Sequence, residues 1–278
     1  LLYGFQDYIF SRNVMLANVF QEGADTSYEF IINKVKTSNI KGILLSPCTH
    51  FGSDKSPSLI FAQRLSENGI PVVIVGRPLP GFHGPQVVPD NSGGVLKAVQ
   101  ELAGRGFDKM AYFGKDDYIV GKERLMGYRL GLEYCSLPAD ESLIVLDRSG
   151  ANFFPTLDAL IDKGVANLFS HHPDCRCFIT FNITFAYSLY RKLRKSGLLT
   201  DDMVIAGFDP SPYYDNDFMK HYLVIQRPLR KIGREAAELM LNQLDNGKPI
   251  NEIRRIMPDL IMPAELHLGQ VRQEAMLV

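Results

Sequence analysis

Two short apolar runs end in side chains able to grip a small polar molecule. Val204, Ile205 and Ala206 lead into Gly207-Phe208-Asp209, and a second run ends at Gln226-Arg227-Pro228 before a long helical pattern. Both the acid and the amide therefore stand at strand ends, and open α/β sheets bind ligands outside the carboxyl ends of their strands. A carboxylate such as Asp209 accepts bonds from two adjacent hydroxyls, and the Gln226 amide offers a donor and an acceptor together. That is the chemistry of binding rather than of catalysis. Asp209-Pro210-Ser211-Pro212 is also strong turn chemistry, so a capping role stands beside the binding one.

The elements that must position these side chains alternate. Apolar residues Leu2, Phe5, Ile9 and Phe10 fit one helix face, and Val14, Leu16 and Asn18 read as an alternating strand. A helix over 28–37 precedes a buried strand over 42–46. The same plan recurs as helix 58–68 closed by Gly69, strand 71–75, strand 87–88, helix 93–104 closed by Gly106, strand 109–113, helix 123–134 and strand 143–146. Helix 154–163, strand 177–181, helix 185–195 and strand 204–207 complete it. This rhythm predicts an α/β protein with parallel sheets, right-handed crossovers and helices on both faces. About ten strands exceed one ordinary doubly wound sheet, so two such sheets are expected.

Composition narrows the function classes. The chain has 278 residues and a formal net charge of −1, with acids and bases interspersed and no basic stripe of the kind that grips nucleic acid. Apolar runs are strand-length, far from the roughly 20 residues that span a bilayer. The four cysteines, Cys48, Cys135, Cys175 and Cys177, lack framework spacing, which favours reduced thiols and a cytoplasmic setting. No phosphate-cradling loop, nucleophile elbow or two-histidine metalloprotease helix occurs, so no catalytic residue and no cofactor are assigned.

The run His171-His172-Pro173-Asp174-Cys175-Arg176-Cys177 invites a zinc reading, but its spacing fits no standard finger and Cys177 opens a buried strand, so no metal ligand is assigned. The basic run Arg191, Lys192, Arg194, Lys195 ends a helix, where cations complement the dipole.

In order and spacing, the chain resembles the sensor domain of the lac-repressor/galactose-repressor (LacI/GalR) family, which shares a fold with periplasmic sugar-binding proteins. The residues carrying the likeness are Gly42-Ile43-Leu44-Leu45-Ser46-Pro47, Gly69-Ile70-Pro71-Val72-Val73 leading to Arg77, and Val88-Pro89-Asp90-Asn91 with Gly93-Gly94. Then come Glu123-Arg124-Leu125-Met126-Gly127-Tyr128, Phe181-Asn182, Gly207-Phe208-Asp209, and Gln226 with Pro228 and Gly233.

The resemblance implies two lobes joined by three crossovers, placed near Gly114, Gln226 and Asp259, with residues 1–114 plus 227–258 in one lobe and 115–226 plus 259–278 in the other. A small-molecule effector, a sugar or sugar derivative, would lie in the cleft. Its contacts carry over to Arg124, Asn182, Asp209 and Gln226, with Arg77 matching a position used by the sugar-binding proteins. A homodimer is implied, with operator DNA as partner through an N-terminal head and hinge outside the sequence. The family's first strand likewise falls before Leu1. No membrane partner is implied.

Departures from the family pattern are Ile183, where an aspartate usually follows the asparagine, and Gly76, where an acid often precedes the arginine.

Local readings stand beside these. Asn182 also suits a cap for the helix that follows it. Arg124 would sit in the first turn of its helix, unfavourable against the dipole unless a ligand or acid answers it. Asp90-Asn91 reads as a cap outside the site. Phe153 is a candidate to stack on a sugar ring, although core packing is the commoner fate of such aromatics. A periplasmic solute-binding protein is the rival function, and a sugar-modifying enzyme a third that lacks an acid/base pair.

Overall fold

Continuous apolar strands fix the architecture. In the computed structural model, which describes residues 1–9, 28–38, 40–47, 57–148, 153–210, 216–247 and 251–263, the Val-Val-Ile-Val run is a strand buried on both faces. Such runs belong inside parallel sheets covered by helices on either side. The expected strand around Val14, Leu16 and Asn18 lies outside the described residues.

The elements in chain order are α1 (Leu2–Ile9), α2 (Tyr28–Thr37), β1 (Ile43–Leu45), α3 (Pro57–Glu67), β2 (Val72–Val75), β3 (Gln86–Pro89), α4 (Asn91–Gly104), β4 (Met110–Lys115) and α5 (Ile119–Tyr134). They continue as β5 (Ile144–Asp147), α6 (Phe153–His171), β6 (Cys177–Thr180), α7 (Ile183–Lys195), β7 (Val204–Phe208), α8 (Asn216–Met219), β8 (Tyr222–Gln226), α9 (Leu229–Asn246), β9 (Ile253–Ile256) and β10 (Asp259–Ile261).

The chain forms two units, Leu1–Asp90 with Pro228–Ile256, and Asn91–Arg227 with Met257–Val278. In the first, a parallel sheet runs β1-β2-β3-β9. Helices α2 and α3 cover one face through Ile32, Leu59, Ala62 and Leu65 against Val72 and Ile74. Helix α9 covers the other with Ile232, Ala236 and Leu239 against Val73, Val75 and Val87. It ends at Gly247, whose φ of +62° makes the left-handed turn that suits glycine.

The second unit has six strands in the order β10-β8-β7-β6-β4-β5. Strand β4 shows the alternation of side chains that builds both faces. Met110 and Tyr112 pack under α4 and α5 with Val95, Leu125 and Tyr128, while Ala111 and Phe113 meet Ile161, Val165 and Leu189 from α6 and α7.

Three expectations are corrected. The first passage between units falls at Asp90–Asn91 rather than near Gly114: β4 pairs with β5 and β6, and α4 packs closely on α5, so both belong to the second unit. A Cβ on Gly131 of α5 would stand 2.7 Å from Val99 Cβ of α4, which measures how near the helices approach. The second sheet is not wholly parallel, because the short edge strand β10 runs antiparallel to β8, with Asp259 opposite Gln226. Finally, α5 begins four residues before the expected start at 123, which moves Arg124 from its first turn into its second.

Candidate functional site

The parallel strands of the second unit end on one edge, so the residues after them are brought together. Strand β4 has β5 on one side and β6 on the other, and the order of winding reverses there. Such a switch point is where open α/β sheets take ligands. Lys115, Asp147, Phe181, Asn182, Asp209 and Arg227 all stand at or just past these strand ends.

Arg124 comes to this edge from α5 and is buried, 5% exposed. Its guanidinium lies 3.5 Å from the centre of the Phe208 ring and 4.7 Å from that of Phe181, so both aromatic faces meet the cation. Nη1 donates to the Phe181 carbonyl, while Nε and Nη2 both donate to Asn91 Oδ1 at 3.2 Å. Burial lowers its pKa to about 10, against the opposing charge of Asp209. Among the described residues three of its five N–H groups are thus used, and two remain for a ligand.

Asn91 was read as a cap outside the site, yet it is the first residue of α4 and 1% exposed. Its Nδ2 donates to Glu123 Oε2 at 2.9 Å, so one amide joins two neighbouring residues of α5.

Asp209 follows β7 with a φ of +66°, a left-handed conformation that aspartate tolerates better than most residues. The turn is held from β8. Tyr222 Oη donates to the Phe208 and Asp209 carbonyls at 3.2 and 3.1 Å, and the Asp209 N–H donates to the Ile225 carbonyl. Arg227 then donates through Nε to Oδ1 and through Nη2 to Oδ2, both at 2.8 Å. This bidentate fork uses one acceptor site on each oxygen of the carboxylate that sequence reasoning assigned to hydroxyls, and each oxygen has a second.

Asn182 caps α7, its Oδ1 accepting from the Thr184 and Phe185 N–H groups at 3.1 Å each. Among the described residues its Nδ2 has no protein partner, so the cap leaves both N–H donors of that nitrogen for a ligand. Gln226 ends β8, half-buried, and its side chain makes no hydrogen bond among the described residues.

Arg77 lies in the first unit, half-buried after β2. Phe153 opens α6, and its side chain lies outside what is described.

Sequence reasoning missed Arg227, Tyr222, Asn91 and the pair Lys115–Asp147, whose Nζ and Oδ2 are 3.0 Å apart in a buried setting. Arg227 is adjacent to a residue that was chosen, so a one-residue step at a strand end separated the two. Among the described residues no group of three or more His, Cys, Asp or Glu side chains could hold a metal ion. Both imidazoles of the zinc-like run are engaged, His172 Nε2 with Ser142 Oγ at 2.7 Å and His171 Nδ1 with the Asn167 carbonyl at 2.9 Å. Among the described residues no helix is long and apolar enough to cross a membrane.

A family model described as periplasmic binding proteins and sugar binding domain of LacI family matches residues 9–263. The HTH-type transcriptional regulator CelR of Thermobifida fusca is 29% identical over 210 residues, 73% of this chain and 58% of that protein. The chain spans little more than half the length of the curated relatives it matches first, at 58% and 56%.

Among solved structures, a regulatory protein of LacI family from Chloroflexus aggregans superposes with a TM-score of 0.77 at 22% identity, covering 95% of this chain and 92% of that one. The transcriptional regulator CelR in complex with cellobiose superposes with a TM-score of 0.71 at 22% identity, covering 94% and 76%. The matched span, together with a fold these structures share, shows that the chain belongs to the family of periplasmic binding proteins and LacI-type sugar-binding domains.

Proposed function

We propose that this chain is the effector-sensing part of a cytoplasmic transcriptional regulator, taking a sugar or related small polar metabolite at the strand ends of its second unit. Occupancy would govern operator binding by a DNA-binding domain elsewhere in the full-length protein, acting as a homodimer. The observation that carries this reading is the convergence of Arg124, Asp209 and Arg227 at one switch-point edge, with the Asn182 Nδ2, unpaired among the described residues. Forked donors, a carboxylate and amides together match the dual donor and acceptor character of hydroxyls. The relatives named above are regulators, which favours this reading over a transport role.

The charges favour an uncharged ligand. Arg227 already meets Asp209, Lys115 meets Asp147, and Arg148 Nε is 3.6 Å from Asp116 Oδ2. An added phosphate or carboxylate would have to displace these partners.

A thermal-shift panel of pentoses, hexoses, disaccharides, sugar acids and sugar phosphates tests the proposal. A ligand of the native state stabilises it by about 2.7 kcal/mol at a hundredfold excess over its dissociation constant. The expected result is stabilisation by one neutral saccharide class, lost in Asp209→Ala and Arg124→Ala. A folded protein unmoved by the whole panel overturns the sugar reading.

A further inference from the structure

The chain passes between units after Asp90 and again after Arg227. At these two of its three passages, the third following Ile256, the residue on the second unit's side is bonded to a different charged side chain of the candidate site. Asn91, first in the second unit, accepts at Oδ1 from Arg124 Nε and Nη2. Arg227, last before the return, holds Asp209 by two bonds of 2.8 Å.

We propose that Asn91 and Arg227 are positioning residues that convert occupancy of Arg124 and Asp209 into backbone changes at the two passages. This rests on the sensing role above but concerns how the signal leaves the site.

The argument is one of buried valence. Asn91 is 1% exposed and both ends of its amide are used, with Nδ2 on Glu123 Oε2 at 2.9 Å. If a ligand turns the Arg124 guanidinium, Asn91 Oδ1 is left as a buried acceptor without partners, which costs more than following the movement. The amide can follow only by carrying the first turn of α4. That turn has little slack. The neighbouring Ser92 carbonyl lies where a Cβ on Gly127 would stand, and a Cβ on Gly94 would be 2.8 Å from Pro258. On the other side of the passage, the Asp90 N–H donates to the Ile256 carbonyl at 2.9 Å, fixing that residue to the end of β9. Displacement of Asn91 is therefore taken up in the backbone between Asp90 and the first turn of α4.

At the second passage the carboxylate is shared. The Arg227 fork uses one acceptor site on each Asp209 oxygen, so hydroxyls bound to the remaining sites draw charge from the two bonds that hold Arg227, one residue before Pro228. Coupling of this kind requires that the ligand favour one arrangement energetically, and weakening or turning an existing bond supplies that difference.

The test is hydrogen–deuterium exchange read by mass spectrometry, first without ligand. Arg124→Lys keeps the charge but loses the fork toward Asn91. It is expected to raise exchange over 88–93 by about fivefold while leaving 225–230 within about twofold. Asp209→Asn is expected to do the reverse. A merely structural loss would raise exchange across the second unit, and that result, or no change at either passage, overturns the proposal. Should Arg124→Lys fail to fold, Glu123→Gln disturbs the same amide from its other side and is read over 88–93.

The wild-type protein is then measured with cellobiose and with the panel above. Ligand-free variants that respond at their own passages, with no saccharide giving a thermal shift, sink the sugar reading and leave the coupling standing. A saccharide that stabilises the wild type without altering exchange at either passage sinks the coupling alone.

Discussion

Arg227 holds Asp209 from the neighbouring strand end, Nε to Oδ1 and Nη2 to Oδ2, both at 2.8 Å. The two side chains are about a quarter to a third exposed, so water screens the pair and its contribution to stability is modest. Its consequence is geometric: the carboxylate is aimed before any ligand arrives.

Asp209→Asn and Asp209→Ala should therefore separate charge from conformation. Asparagine tolerates the left-handed φ of +66°, whereas alanine does not. The asparagine variant is expected to lose less than about 1 kcal/mol. The alanine variant should lose about 1 kcal/mol more, from the left-handed penalty alone. Urea denaturation of both proteins checks the order, and both should lose the saccharide-dependent thermal shift.

Arg124→Ala removes a buried cation from between two rings and strands the Asn91 and Phe181 oxygens. A loss of about 3 kcal/mol is expected, the scale of hydrogen bonds to charged groups and of acceptors left unsatisfied. A loss below 1 kcal/mol by the same denaturation measurement would show that the guanidinium contributes little to the fold.

Two glycines make opposite predictions. A Cβ on Gly127 would strike the Ser92 backbone, so Gly127→Ala must part α4 from α5 and should cost about 2 kcal/mol despite better helix propensity. Gly104, at the end of α4, has nothing within 4 Å of the added methyl, and Gly104→Ala should gain a few tenths to about 1 kcal/mol. The pair of melting temperatures decides it.

Burial pushes the Cys175 thiol up to about 11 and holds Cys177 well above the ordinary thiol value, with Tyr112 and Tyr128 raised by the same cause. Alkylation at pH 8 should spare both cysteines until the protein is denatured, as peptide mapping would show. Because these groups hold their protons more tightly when folded, their contribution is complete below pH 9, the ordinary thiol value, and is lost as pH climbs through about 11. Melting temperature should fall across that window.

The alternation of strand and helix was legible because apolar runs and helical periodicity are local properties. What escaped was set by register and packing. Whether Gln226 or Arg227 faces Asp209 depends on how β8 lies beside β7, with Phe208 opposite Ile225, and no local pattern states that. Asn91 read as a cap because asparagine before a helix usually is one. Its tie to Arg124 spans 33 positions and exists only because α4 packs on α5. The start of α5 was set late because Gly121 and Lys122 weaken the apolar pattern there. Asn182 combined both readings, since its oxygen caps α7 while its nitrogen stays open.

The interrupted makeup of the first unit also has a consequence for synthesis. Its β1, β2 and β3 emerge from the ribosome early, but α9 and β9, which cover and extend their sheet, follow only after residue 227. Pairing of β3 with β9 joins residues about as far apart in sequence as Val87 and Arg254, and such distant contacts form slowly. During translation, the half made first must wait for the half made second. Until then Val73, Val75 and Val87 lack the cover of α9, so this face is where a chaperone would be expected to bind the nascent chain.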